Sequence, residues 1–195
     1  MTEFEEFYIN ASGEEWTLRN EAIQKYGFAI LSENVIDRLK KYAPILEVGA
    51  GTGYWAYEFQ KRAIDYIATD LKISENSYFK FDEKKSKHWT NVENLSAEEA
   101  IEKYPNRTLL TCWPCYNEPW AYDAVCQFKG DYVIYVGEGY EGCTADDQFH
   151  HYMDENFYLI DELNLFQWEG LHDQVFVYRR SQSPLNKFRG LSCET

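Results

Sequence analysis

Apolar positions recur with helical spacing from Glu14 to about Leu39, at Trp16, Ile23, Tyr26, Val35, Ile36 and Leu39, with Ser32 placed to cap a helix starting at Glu33. The spacing predicts two short helices before the first strand. Pro44 closes them, and the run Ile45-Leu46-Glu47-Val48 reads as a short buried strand. Tyr54 to Arg62 reads as a helix and Tyr66 to Asp70 as a second strand, giving a βαβ unit. Lys72 to about Thr90 is a long polar connection, after which Ser96-Ala97-Glu98-Glu99 has the form of a capping box for a helix ending near Tyr104-Pro105.

Further on, Thr108–Trp113 is a predicted strand, Pro119–Phe128 a helix and Asp131–Val136 a strand, and Thr144 to Asp147 caps a helix running to about Glu155. Phe157–Trp168 and Gln174–Tyr178 are strand-like and separated by only five residues, too few for a crossover helix. They should pair antiparallel beside an otherwise parallel sheet. The pattern therefore predicts an α/β fold organised as an N-terminal helical addition (1–43), a sheet domain (44–180) and a C-terminal tail (181–195).

Composition narrows the function classes. The chain has 195 residues, of which 45% are hydrophobic and 17% aromatic, enough for one continuous core. A formal net charge of -14 repels phosphate backbones, so a long nucleic-acid substrate is disfavoured. No apolar run reaches the roughly 20 residues that span a bilayer, and the first residues, MTEFEEFYIN, are acidic where a signal peptide is basic. A cytoplasmic protein without a membrane partner is expected. The five cysteines form an odd set, read as reduced thiols. Cys112 and Cys115 have CxxC spacing, but no second pair accompanies them and no metal site is read here.

The chemistry concentrates at Ile45–Asp70. The turn after the first strand of a βαβ unit lies at the carboxyl end of the sheet, where open α/β sheets bind ligands. Gly49, Gly51 and Gly53 let a ligand approach the backbone, whereas a pyrophosphate-binding G-x-G-x-x-G turn would need glycine where Tyr54 stands. Glu47 is an acid inside a buried strand, and Asp70 is an acid ending the next, where a carboxylate can hold ribose hydroxyls. Together they suit a ligand carrying an ammonium group and a ribose.

The stretch EVGAGTG followed by ATD resembles motifs I and II of the class I S-adenosylmethionine-dependent methyltransferases, and the resemblance runs from about Ile45 to Arg180. It implies a Rossmann-like, mostly parallel sheet with a terminal antiparallel strand pair and S-adenosylmethionine as cofactor. Gly49, Gly51 and Gly53 would then pass the methionine moiety, Glu47 would support its ammonium group or the turn, and Asp70 would hold the ribose. Trp113-Pro114-Cys115-Tyr116 resembles a variant of the Asn/Asp-Pro-Pro-Tyr motif of amino-group methyltransferases, with Trp113 in place of the Asn or Asp and Cys115 in place of the second proline. Trp113, Pro114 and Tyr116 are the catalytic candidates, as the wall against which a small-molecule or peptide acceptor would lie; Trp120 could add a ring. Two alternatives stay open: a noncatalytic nucleoside-binding or protein-interaction module, and a nucleic-acid N-methyltransferase with a divergent WPCY motif. Glu138, Asp146 and Asp147 are acid/base candidates for which helix capping is the competing role, and His150 and His151 are read as surface residues.

Overall fold

In the computed structural model residues 1–71, 88–140 and 142–181 are described. Among them seven strands form one sheet in the order β3-β2-β1-β4-β5-β7-β6. The strands are β1 (Ile45–Val48), β2 (Tyr66–Asp70), β3 (Val92–Asn94), β4 (Thr108–Cys112), β5 (Tyr132–Gly137), β6 (Phe157–Asn164) and β7 (Gln174–Arg180). The first five run parallel, with Ile45 opposite Tyr66 on one side and Thr108 on the other. β7 is antiparallel to both β5 and β6. This is the mostly parallel α/β sheet with a terminal antiparallel pair that the pattern predicts.

Side chains alternate across that sheet, and each face has its own cover. Ile45, Leu110, Ile134 and Val177 enter a cluster with α1 (Glu3–Asn10), α2 (Glu15–Tyr26), α3 (Glu33–Leu39) and α4 (Tyr54–Gln60). Leu46, Leu109, Val133 and Phe176 point the other way, onto α5 (Ala97–Lys103), α6 (Trp120–Gln127) and α7 (Asp147–Asn156). Burial on both faces explains why β1 reads as an unbroken apolar run apart from Glu47.

Two elements escape the apolar pattern. α1 starts from a reciprocal capping box between Thr2 and Glu5, legible in hindsight as Thr-x-x-Glu. It docks by its edge: Thr2 Oγ1 donates to the Leu31 carbonyl at 2.5 Å, and the Phe4 N–H donates to the Tyr54 hydroxyl at 2.8 Å. β3 has three residues, none fully buried, too short and too polar for a periodicity signal. Other boundaries shift by a few residues. Trp16, expected on the apolar face of α2, is 69% exposed. β6 ends at Asn164 rather than Trp168, because the chain leaves the sheet there and Phe166 pairs with Ile30.

Beneath α1 lies a buried ion group. Glu58 is fully buried and accepts from the Tyr54 hydroxyl at 3.0 Å and from Arg62 Nη1 at 2.5 Å. Arg62 Nη2 reaches Glu33 at 2.5 Å, which holds that carboxyl down at about 2. Tyr54, the residue that displaces a glycine from the turn, is thus an anchor for the N-terminal helix.

Candidate functional site

β1 and β2 end side by side, and the chain turns between β1 and α4 through Gly49, Gly51 and Gly53, all at left-handed φ of 74°, 52° and 72°. The turn is closed by the Gly51 N–H, which donates to Asp70 Oδ2 at 2.6 Å. Three glycines meet three different demands. A Cβ on Gly49 would sit 2.9 Å from Trp120 Cη2, and one on Gly53 would sit 2.7 Å from Val92 Cγ2. Nothing lies within 4 Å of a Cβ on Gly51, the one facing open space.

That space belongs to a cavity of about 440 Å3. Glu47, Gly49, Gly51 and Asp70 line it, whereas Gly53, which caps α4, does not. The opposite walls come from three places: Ile23, Tyr26 and Phe28 of the N-terminal segment, Leu95 to Glu98 after β3, and Cys112, Trp113 and Cys115 after β4. Five carboxylate residues line it, Glu47, Asp70, Glu98, Glu118 and Asp123, and no lysine, arginine or histidine does among the described residues. Its field favours a cation and opposes a pyrophosphate.

Glu47 is only 2% exposed, and neither its Oε2 nor the adjacent Tyr66 hydroxyl has a hydrogen-bond partner among the described residues. Burial pushes its carboxyl up to about 8; Tyr66 offsets part of that and the charge of Asp70 adds to it. Burial also raises the Asp70 carboxyl, against the Gly51 amide and the charge of His88. A ligand ammonium would supply the missing partner of Glu47. The donor set and the cleared space at Gly51 fit S-adenosylmethionine: an acid for its ammonium, a glycine turn for its methionine chain and an acid for its ribose.

The three acceptor-wall candidates part company. Trp113 lines the cavity, at a left-handed φ of 56°. Its indole N–H donates to Asp173 Oδ1 at 2.7 Å, and its ring stacks on Phe28 with centroids 4.7 Å apart. Pro114 is buried outside the lining, its carbonyl accepting the Ala145 N–H at 2.9 Å. Tyr116 is 67% exposed and lines a second, more open depression with Glu138, Tyr140, Cys143 and His172. Cys115 does face the cavity; burial, Glu118 and Asp70 raise its thiol, and burial and Glu47 raise that of Cys112 further, so neither is disposed to form a thiolate.

Asp146 caps α7, accepting the Phe149 N–H at 2.7 Å. Glu138 accepts the N–H groups of Cys143 and His172 at 2.7 and 2.8 Å, so it braces the loop. His150 is buried at 9% against Thr144, which corrects its placement on the surface, while His151 meets the Tyr140 hydroxyl at 2.7 Å. Part of the 72–90 connection and Cys193 lie outside the described residues. Sequence reasoning missed the wall of Ile23, Tyr26 and Phe28, for which no local signal exists. It also missed Leu95 to Glu98, which recognition of β3 would have marked as a strand-end turn.

No family profile matches the sequence, and no curated protein matches it. Solved structures do match by fold. Magnesium protoporphyrin IX methyltransferase from Synechocystis PCC 6803, with bound S-adenosylmethionine, aligns with a TM-score of 0.51 and 9% identity, covering 90% of each chain. 1,6-Didemethyltoxoflavin-N1-methyltransferase from Burkholderia thailandensis aligns with a TM-score of 0.50 and 14% identity over 85% of this chain and 80% of that one. An uncharacterized protein from Listeria monocytogenes serotype 4b aligns with a TM-score of 0.53 and 13% identity over 80% of this chain and 70% of that one. The chain has the Rossmann-like fold of the class I S-adenosylmethionine-dependent methyltransferases.

Proposed function

We propose that this protein is an S-adenosylmethionine-dependent methyltransferase acting on a small-molecule or peptide acceptor. The observation that carries the reading is Glu47, a buried carboxyl without a partner for Oε2, in a cavity that also holds the Gly51 turn and Asp70. The cofactor supplies a methyl group on a cationic sulfur, which a nucleophilic atom of the acceptor takes with its own lone pair. Glu47 would hold the ammonium, and Asp70, with one oxygen on the Gly51 N–H, would offer the other to the ribose. Trp113 would wall the acceptor side, with the wall of Ile23, Tyr26 and Phe28 excluding water.

The anionic lining and the net charge of -14 support an acceptor that is not a polyanion. The magnesium protoporphyrin IX and didemethyltoxoflavin enzymes are named for small planar substrates, which agrees with an aromatic wall. One observation favours a second reading, a noncatalytic module with this fold. Trp113 stands where amino-group methyltransferases carry Asn or Asp, and its N–H is already committed to Asp173, so it accepts no proton from an amine.

The test is calorimetric titration with S-adenosylmethionine, S-adenosylhomocysteine and NAD. Saturable micromolar binding of the first two without NAD is expected, and Asp70→Ala should weaken it at least tenfold while leaving thermal unfolding little changed. Binding of neither, or preference for NAD, refutes the cofactor assignment; label transfer from methyl-tritiated S-adenosylmethionine to an acceptor in cell extract rejects the noncatalytic reading.

A further inference from the structure

The wall at Trp113 is assembled from parts far apart in the chain. A bulky residue at φ 56° is an outlier that persists only where its surroundings over-determine it. Here its backbone N–H donates to the Val136 carbonyl at 2.8 Å, fixing the main chain. The indole ring is then held on its own account: Phe28 is nearly parallel to it, at 8°, and the Arg19 guanidinium lies 5.7 Å from its centroid. Asp173, in the connection between β6 and β7, accepts its N–H at 2.7 Å.

Asp173 is 1% exposed and does not line the cavity, so nothing in its position lets it touch a ligand. A carboxylate so buried is costly unless its partners compensate it. Burial indeed raises its carboxyl to about 6, with the Trp113 N–H, Arg19 and His172 pulling it down and Glu138 pushing it up. The fold retains this acid where its clearest partner is one side chain of the cavity wall. Gln167 meanwhile donates to the Asp173 carbonyl at 3.1 Å, holding the backbone at that point.

We propose that Asp173 is a positioning residue for the ligand cavity: through the indole N–H it sets the orientation of Trp113, with Arg19 and Phe28 holding the ring, and so shapes the wall beside the cofactor. The proposal rests on the cofactor reading above for the identity of the ligand, and on the Asp173–Trp113 contact for its own content. A hydrogen bond to a charged acceptor is about twice as strong as a neutral one and directional, which suits it to fixing a ring angle. The N-terminal segment thereby contributes to the site twice, through lining residues and through the brace behind Trp113.

The test is a double-mutant cycle on Asp173→Leu and Trp113→Phe, read as the dissociation constant of S-adenosylhomocysteine, with the indole N–H signal of Trp113 followed by NMR in the full-length protein. Each single substitution should weaken binding about fivefold to tenfold, and the double variant should be no weaker than the worse single. Asp173→Asn, which keeps an oxygen for the indole, should restore both the affinity and the shifted, exchange-protected N–H signal. Multiplying effects, unchanged affinity in Asp173→Leu, or an Asn variant as weak as the Leu variant each overturn the proposal. If Asp173→Leu does not fold, Trp113→Phe carries the test alone, and unchanged affinity overturns it. A wild-type protein that binds neither S-adenosylmethionine nor S-adenosylhomocysteine sinks the cofactor reading instead, while the NMR signal of Asp173→Asn still reports whether the contact exists.

Discussion

Glu47→Gln should make the ligand-free protein more stable and its cofactor binding worse. The wild-type carboxyl sits at about 8 in the folded chain against an ordinary 4.5. Because the folded value is the higher one, the neutral acid favours the fold: that contribution is complete below about pH 4.5, declines as pH rises and is gone above about pH 8. At about 1.4 kcal/mol per unit, the fully ionised carboxyl costs roughly 5 kcal/mol, of which about 3 kcal/mol develops between pH 6 and pH 9. Glutamine has the same shape and never ionises. A change of 1 kcal/mol moves Tm by roughly 2–4 °C in a chain of this size, so the stability gap between variant and wild type should widen by roughly 6–12 °C over that interval. Thermal unfolding of both proteins in matched buffers measures it directly. The variant should also bind S-adenosylmethionine at least tenfold more weakly, since it offers an ammonium no charge, a loss of about 1.5–3 kcal/mol. In the wild type, binding near pH 7 should release close to one proton, measured by calorimetry in buffers of differing ionisation enthalpy; Glu47→Gln should lose this release. Parallel Tm profiles for the two proteins would refute the account of Glu47 as a buried, unpartnered acid.

Alanine at the turn glycines should separate backbone strain from crowding. Gly51→Ala adds a Cβ into open space and should cost about 1–2 kcal/mol for its left-handed φ alone, whereas Gly53→Ala also presses on Val92 and Thr90 and should cost about 2–4 kcal/mol; chemical denaturation with equal losses would count against that distinction. Arg62→Ala leaves Glu58 buried without its cation and should cost about 3–5 kcal/mol, with earlier proteolytic cleavage near α1; a loss below about 1 kcal/mol would mean the ion group does not hold the N-terminal helix.

Local chemistry was legible in the chain: the alternation of apolar strands with capped helices, the Ser96 capping box, the glycine turn at Gly49–Gly53 and the acids at Glu47 and Asp70 all follow from neighbours a few residues apart. Periodicity, φ preference and capping act over one turn or one strand, so a linear reading reaches them. Tertiary packing alone decided the rest. It placed Trp113 in the cavity and Tyr116 outside it though they are three residues apart, because the left-handed backbone at Trp113 and the Ala145–Pro114 bond redirect the chain between them. It assembled the opposite wall from Ile23, Tyr26 and Phe28, and it brought Asp173 behind the indole across sixty residues of sequence. Contacts of that separation arise from how whole layers stack on the two faces of the sheet, and no local pattern encodes which side chains then meet.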